Sequence, residues 1–117
     1  MEQHEIEIMA AEFRACQRVL IALGDGNRQH LMLEMMQMHD CRGVRVGEIT
    51  KRTHLSRPAV SHHLQILKDA GIVKMRREGT MNYYYFDADT ETMNAMLQML
   101  THARDIMQAM PDRSGDD

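Results

Sequence analysis

The chain has 117 residues, of which 44% are hydrophobic and 26% are charged, a composition typical of one soluble globular domain. No apolar run approaches the roughly 20 residues of a membrane-spanning helix, and the acidic N-terminus lacks the pattern of a signal peptide. We therefore expect a cytoplasmic protein without a membrane partner. Two cysteines are too few for a disulfide framework.

The net charge of −3 is unevenly distributed along the chain. Residues 42–77 contain nine basic and two acidic residues, a net charge of +7, whereas the remainder carries −10. A polyanion responds to the local charge of a surface rather than to the total charge. This segregation favours a nucleic-acid partner over a solvated face with scattered charges.

The N-terminal half contains three predicted helices. Apolar residues spaced by three and four positions predict a first helix from about residue 4 to Leu23. After a break that contains Asp25 and Asn27, either of which can cap a helix, a second helix covers about 27–39. Its apolar residues lie on more than one face, so it should be well buried. A third helix spans about 46–53.

A fourth helix has clear start and stop signals. Ser56 is placed to cap it, and Gly71 is placed to end it in a left-handed conformation. Val60, Leu64 and Leu67 follow one another at helical spacing and predict one buried stripe. A short third helix followed by this capped helix is the pattern of a helix-turn-helix.

The C-terminal half is predicted to contain a hairpin, a long helix and a tail. Residues 72–76 and 82–86 read as two strands, 89–110 as a helix, and 111–117 as a flexible tail. The fold class is therefore mainly α with a small β-hairpin. We predict a winged helix-turn-helix of about five helices plus a two-stranded wing, built as a single domain over residues 1–110.

Polar residues opposite the buried stripe of the fourth helix are candidates for DNA contact. They have the donors and acceptors that read base edges and phosphates from a major groove, and arginines on the hairpin suit phosphates or the minor groove. The set is Ser56, Arg57, Ser61, His62, His63, Gln65 and Lys68, together with Arg76 and Arg77 of the hairpin. An ordinary amphipathic surface helix would carry similar side chains, but the adjacent basic hairpin favours DNA.

Four segments resemble the ArsR/SmtB family of bacterial winged-helix repressors. They are LGDGNR (23–28), VGEIT (46–50), LSRPAVSHHLQILKDAGIV (55–73) and RREGTMNYYYF (76–86). The resemblance covers nearly the whole chain and implies a homodimer built by the first and last helices. It also implies binding to palindromic double-stranded operator DNA, and release by a metal ion, a thiol-reactive species or a small ligand. Arg57 stands where the family commonly has Gln. The arginine would favour guanine over adenine at the matching base pair.

The resemblance also indicates where a metal could bind. The family's C-x-C thiolate site would fall on Arg45 and Gly47, so it is absent. A second family site, in the last helices with two ligands from each subunit, matches the spacing of Asp89, Glu91, His102 and Asp105. This oxygen-rich set would suit a divalent ion harder than zinc. The alternative is the polar face of a dimer helix, so no cofactor is certain.

The two cysteines are a candidate thiol sensor. Arg42 and Arg45 beside Cys41 would favour its reactive thiolate form, whereas Cys16 lies on the apolar side of the first helix. A disulfide between Cys16 and Cys41 requires Cα atoms within about 7 Å. The alternative for Cys16 is a small buried apolar residue. The thirteen methionines read as core fillers, or else as a deformable dimer cavity for copper(I), haem or an apolar ligand.

Two other classes of function fit the sequence less well. A winged-helix protein-interaction module without DNA binding is the alternative, although a protein-binding wing would more often expose apolar residues than arginines. An enzyme is not expected, because the sequence has no C-x-x-C, no phosphate loop and no nucleophile–base pair of known spacing.

Overall fold

The computed structural model describes residues 2–38, 42–87 and 89–115. The elements are α1 (Gln3–Ala15), α2 (Gln17–Leu23), α3 (Gly26–Met38), α4 (Val46–Arg52), α5 (Arg57–Asp69), β1 (Val73–Glu78), β2 (Met81–Phe86) and α6 (Glu91–Ala109). Within the described ranges these are six helices and a two-stranded hairpin, which confirms the mainly α winged-helix prediction.

The chain divides into two compact units. Residues 1–17 and 90–117 form one, which we call the α1/α6 unit, and residues 18–89 form the winged-helix unit. The extent of a single domain over 1–110 and the flexibility of the tail at 111–117 stay predictions.

The first predicted helix, from residue 4 to Leu23, is in fact two helices, so that part of the prediction was wrong. α1 ends at Ala15, and the backbone N–H of Cys16 is shared between the carbonyl oxygens of Glu12 at 3.1 Å and Phe13 at 3.2 Å. This tightened last turn departs from the α-helical pattern before α2 begins. No glycine or proline marks the break, and the apolar spacing continues through it, so the sequence pattern could not reveal it.

The winged-helix unit has its core around the helix-turn-helix. α3 packs on α4, α4 packs on α5, and α5 packs on β1. Val60, Leu64 and Leu67 of α5 have no exposed surface, which confirms the predicted stripe. On α3, by contrast, Met35 is buried while Met36 is 53% exposed. The expectation that α3 is buried over more than one face was therefore wrong, because only one face of that helix meets the core.

Local signals fix both ends of α5. The Ser56 hydroxyl oxygen accepts a hydrogen bond from the backbone N–H of Ala59 at 3.3 Å. At the other end, Gly71 has φ +81, and the backbone N–H of Ile72 donates to the Leu67 carbonyl at 3.0 Å. This is the Schellman arrangement, which a left-handed residue permits. The helix that carries most of the candidate DNA contacts therefore has well-defined limits.

The wing is a regular antiparallel hairpin. β1 pairs with β2 from Val73 opposite Phe86 to Glu78 opposite Met81, and a two-residue loop beginning with Gly79 (φ +61) joins them. The predicted strands, 72–76 and 82–86, ended too far from the turn. In the structure the pairing continues to Glu78 opposite Met81.

A short bridge ties the base of the wing to the segment before α4. Val44 and Tyr84 exchange two backbone hydrogen bonds, with N···O distances of 2.7 and 2.8 Å. Gly43 precedes this bridge with φ +97, and a Cβ there would lie 2.8 Å from the Tyr84 carbonyl oxygen. Glycine is required because both the conformation and the close approach exclude a side chain.

The α1/α6 unit has a partly uncovered apolar surface. α1 packs on α6, and Met96 and Met99 are buried. The exposed large apolar side chains of this unit are Ile6, Ile8, Phe13, Met93, Leu97, Leu100, Met107 and Met110. Such a concentration is unusual for a face exposed to water. Among the described residues, no helix combines the length and the apolar character needed to cross a membrane.

Candidate nucleic-acid interface

The face of α5 opposite the core is polar and exposed. It carries Arg57, Ser61, His62, Gln65 and Lys68, all of which the sequence predicted as DNA contacts. Opposite-face positions on one helix project in a common direction, so the structure brings these five side chains onto one surface. An α-helix fits into the major groove of DNA, and the hydrogen-bonding groups on this surface are of the kind that contact base edges there.

Two members of this surface make contacts within the helix-turn-helix. Gln65 Nε2 donates to a carboxylate oxygen of Asp69 at 2.8 Å, which orients the amide. Arg57 lies in the first turn of α5, with its Nη1 atom 3.4 Å from the position that a Cβ on Gly47 would occupy. The Arg57 guanidinium therefore borders both α5 and α4.

His63 differs from the other predicted DNA contacts. It is half-buried, and its Nδ1 atom lies 3.3 Å from Nη1 of Arg28. Burial lowers the pKa of His63 below 6.5, Arg28 and His62 lower it further, and Asp25 opposes the shift. A neutral ring can accept a hydrogen bond from the guanidinium. The structure therefore turns His63 toward Arg28, and its contact with DNA stays a prediction.

Arg28 is a residue of the site that sequence reasoning missed. Only 7% of it is exposed, and its Nε and Nη2 atoms donate to the carbonyls of Ala22 at 2.8 Å and Ile21 at 3.0 Å. Asp25 caps the following helix by accepting from the Arg28 backbone N–H at 3.0 Å. Arg28 thus links the end of α2, the start of α3 and, through His63, the recognition helix α5.

The two wing arginines are placed differently. Arg76 Nε bonds to Glu78 at 3.1 Å, and its guanidinium carbon lies 5.3 Å from the centre of the Tyr83 ring, a cation–π distance. Arg77 Nε donates to the carbonyl of Gly79 at 3.0 Å and is exposed. Among the residues that the structure describes, no carboxylate pairs with Arg77, whereas Glu78 partly compensates the charge of Arg76.

The predicted metal ligands do not gather within one chain. His102 Nδ1 lies 2.7 Å from a carboxylate oxygen of Glu12, a residue the sequence did not single out, and Asp105 lies 3.6 Å from Arg104. In the described part of the chain, no three His, Cys, Asp or Glu side chains are close enough to hold a metal ion. A site that draws on two subunits, with Asp89 and Glu91 among its ligands, stays a prediction.

Cys16 is only 2% exposed, consistent with the alternative of a small buried apolar residue. Cys41 lies outside the described residues. A reactive thiol at Cys41 and a disulfide between the two cysteines therefore stay predictions.

The fold and this surface define a class of protein: a winged helix-turn-helix protein with a polar recognition helix and a basic wing. The family model "Bacterial regulatory protein, arsR family" matches residues 35–75. The transcriptional repressor SdpR of Bacillus subtilis is 30% identical over 84 residues, which cover 70% of this chain and 89% of that protein. The chain belongs to the arsR family of bacterial regulatory proteins.

Other similar proteins agree with this assignment. The HTH-type transcriptional regulator Rv2034 of Mycobacterium tuberculosis is 36% identical over 75 residues, or 64% of this chain. The homodimeric winged helix-turn-helix DNA-binding domain of Mb0332 from Mycobacterium bovis superposes with a TM-score of 0.59 at 26% identity, covering 88% of this chain and 92% of that one. The chain spans 36%, 66% and 60% of the lengths of three of the curated relatives it matches.

Proposed function

We propose that this protein is a DNA-binding transcriptional repressor that binds a two-fold symmetric operator as a homodimer. The observation that carries the proposal is the exposed polar face of α5 beside a basic wing, within the segment of net charge +7. The charge supplies sequence-independent attraction to phosphates, and the polar face supplies groups that can distinguish bases. No step of this function requires chemical catalysis.

In the proposed complex, α5 lies in the major groove. Arg57, in its first turn, is placed to read a guanine, because the N-terminal part of a recognition helix contacts base edges. The wing lies over the adjacent backbone or minor groove, where Arg77 contacts a phosphate. His63 supports α5 from the side of Arg28.

The apolar face of the α1/α6 unit supports a homodimer. Leu97, Leu100 and Met107 are 61%, 52% and 70% exposed, which is more than a monomer in water normally leaves uncovered on one helix. Mb0332, which superposes on this chain, is a homodimer. A two-fold dimer places two recognition helices on half-sites about one helical turn of DNA apart.

We further propose that an inducer releases the operator. A metal ion, a thiol-reactive species and a small ligand remain the three candidates, and ligands from two subunits would form the metal site. A metal that uses His102 must displace its contact with Glu12.

Selection from a pool of random DNA duplexes tests the proposed function. The native protein should enrich a sequence with two-fold symmetry, and the mass of the complex should correspond to two protein chains per duplex. A matched variant, Ser61→Ala with His62→Ala, keeps the basic wing and Arg57 and should bind the pool with a weaker sequence preference than the native protein. Enrichment of no sequence by the native protein would contradict the proposal, as would binding only to other proteins.

A further inference from the structure

A small concave surface lies where α4 meets the first turn of α5. Its volume is about 330 Å³, and it is lined by Arg45, Gly47, Glu48, Lys51 and Arg57. Of these residues, only Arg57 belongs to the set that the sequence predicted to contact DNA. The lining therefore contains three cations and one carboxylate, all on the helix-turn-helix.

The carboxylate of this concave surface is already engaged. A Glu48 carboxylate oxygen accepts the backbone N–H of Arg45 at 3.1 Å, and it therefore completes the start of α4. Within residues 2–38, 42–87 and 89–115, no carboxylate pairs with Arg45, Lys51 or Arg57. The three cations outnumber the one carboxylate, so the lining of this surface keeps a net positive charge.

Gly47 leaves room in the middle of this surface. It has no side chain, and Nη1 of Arg57 approaches to 3.4 Å from the point where a Cβ would lie. The Arg57 guanidinium therefore forms one wall, while Lys51, one turn further along α4, lies on the same concave surface. Like charges that share a concavity repel one another, and a bound anion removes that repulsion.

A phosphate group matches this arrangement. Guanidinium groups bind phosphate oxygens through paired N–H donors, and an ammonium group adds a compact charge. We propose that the concave surface lined by Arg45, Gly47 and Lys51, with the Arg57 guanidinium as its far wall, is a binding site for one phosphate group, which Arg45 and Lys51 hold while Arg57 stays available to a base. The phosphate can come from the backbone of bound DNA, which rests on the proposed function, or from free inorganic phosphate.

The DNA source is tested by the salt dependence of binding to a duplex of about 30 base pairs, with Lys51→Gln compared with the native protein. Each phosphate contact contributes about 0.9 to the slope of log affinity against log salt, so the slope should decrease by about 0.9 per bound subunit. Between 50 and 200 mM salt this is about a 3.5-fold smaller loss of affinity. Lys51→Arg should keep the native slope.

Arg52→Gln is the matched control for this measurement. Arg52 follows Lys51 on the same helix but pairs with Glu34 at 3.0 Å, and it does not line the concave surface. Its replacement should change the slope by less than half the effect of Lys51→Gln. Equal slopes for both variants would show that only the total charge matters, and would exclude the DNA source.

The free-phosphate source is tested without DNA. Inorganic phosphate is titrated against chloride at constant ionic strength, while the Gly47 backbone amide is followed by NMR. Saturable shifts in the native protein that disappear in Lys51→Gln would establish free phosphate as the ligand. If neither the slope nor the amide responds to Lys51, the site does not exist. If the native protein binds no duplex, the proposed function is wrong. The phosphate titration alone then decides whether the concave surface binds phosphate.

Discussion

Replacing the buried Arg28 by methionine should destabilise the winged-helix unit, because Arg28 makes three side-chain contacts that methionine cannot make. Its guanidinium donates to Ala22 at 2.8 Å and Ile21 at 3.0 Å, and it lies 3.3 Å from His63. Methionine retains much of the apolar stem but none of the donors. The carbonyls of Ala22 and Ile21 at the end of α2 would lose these donors, and His63 of α5 would lose its contact with Arg28.

The size of the effect follows from the burial of these contacts. The bond to the Ala22 carbonyl is buried, and leaving a buried acceptor unpaired costs about 1–3 kcal/mol. The contacts to Ile21 and His63 are part-buried and add less. Removing the charge returns part of the cost of burying a guanidinium. We expect a net loss of about 2–4 kcal/mol in the free energy of unfolding.

Urea unfolding followed by circular dichroism measures this loss, with Arg52→Met as control. Arg52 is also an arginine bonded across helices, but its side chain is 43% exposed, so its pair with Glu34 should be worth about 0–1 kcal/mol. The midpoint for Arg28→Met should fall well below that for Arg52→Met. Similar midpoints for the two variants would refute the structural role assigned to Arg28.

Two further predictions concern α5 and the wing. Burial, and then Arg28, hold the pKa of His63 below 6.5 in the folded protein. As the pH decreases below 6.5, His63 is therefore protonated in the unfolded chain before it is protonated in the folded one, and the free energy of unfolding should fall. His63→Gln, which can still accept from Arg28, should flatten this part of the curve of unfolding free energy against pH; an unchanged curve would assign the effect to other histidines. Arg77→Gln should reduce the salt slope of DNA binding by about 1 per site, and more than Arg76→Gln does, because Glu78 already compensates Arg76. Equal slopes for the native protein and Arg77→Gln would show that the wing makes no phosphate contact.

The elements that the sequence predicted well are those fixed by local chemistry. The cap at Ser56, the left-handed Gly71 and the stripe of Val60, Leu64 and Leu67 are short-range signals, and each determines the geometry of α5 within a few residues. The net charge of residues 42–77 could also be predicted, because it is counted from the sequence and does not depend on how the chain packs.

The features that the sequence did not reveal depend on contacts between distant residues. Arginine is seldom buried, so nothing in the pattern indicated that Arg28 would be buried and bonded to His63, 35 positions away. The pair between His102 and Glu12 joins residues 90 positions apart. The exposure of Met36 depends on which face of α3 meets the core, and helical periodicity alone does not decide this.

The affinity of Arg57→Ala for every single-base variant of the selected operator tests most directly whether α5 reads sequence. Arg57 is exposed in the first turn of α5, and loss of an arginine–guanine pair costs about 1–3 kcal/mol at the matching base pair. The variant should therefore lose discrimination at one base pair in each half-site and keep it elsewhere. Uniform weakening across all the duplexes would contradict base reading by Arg57 and leave it as a phosphate contact.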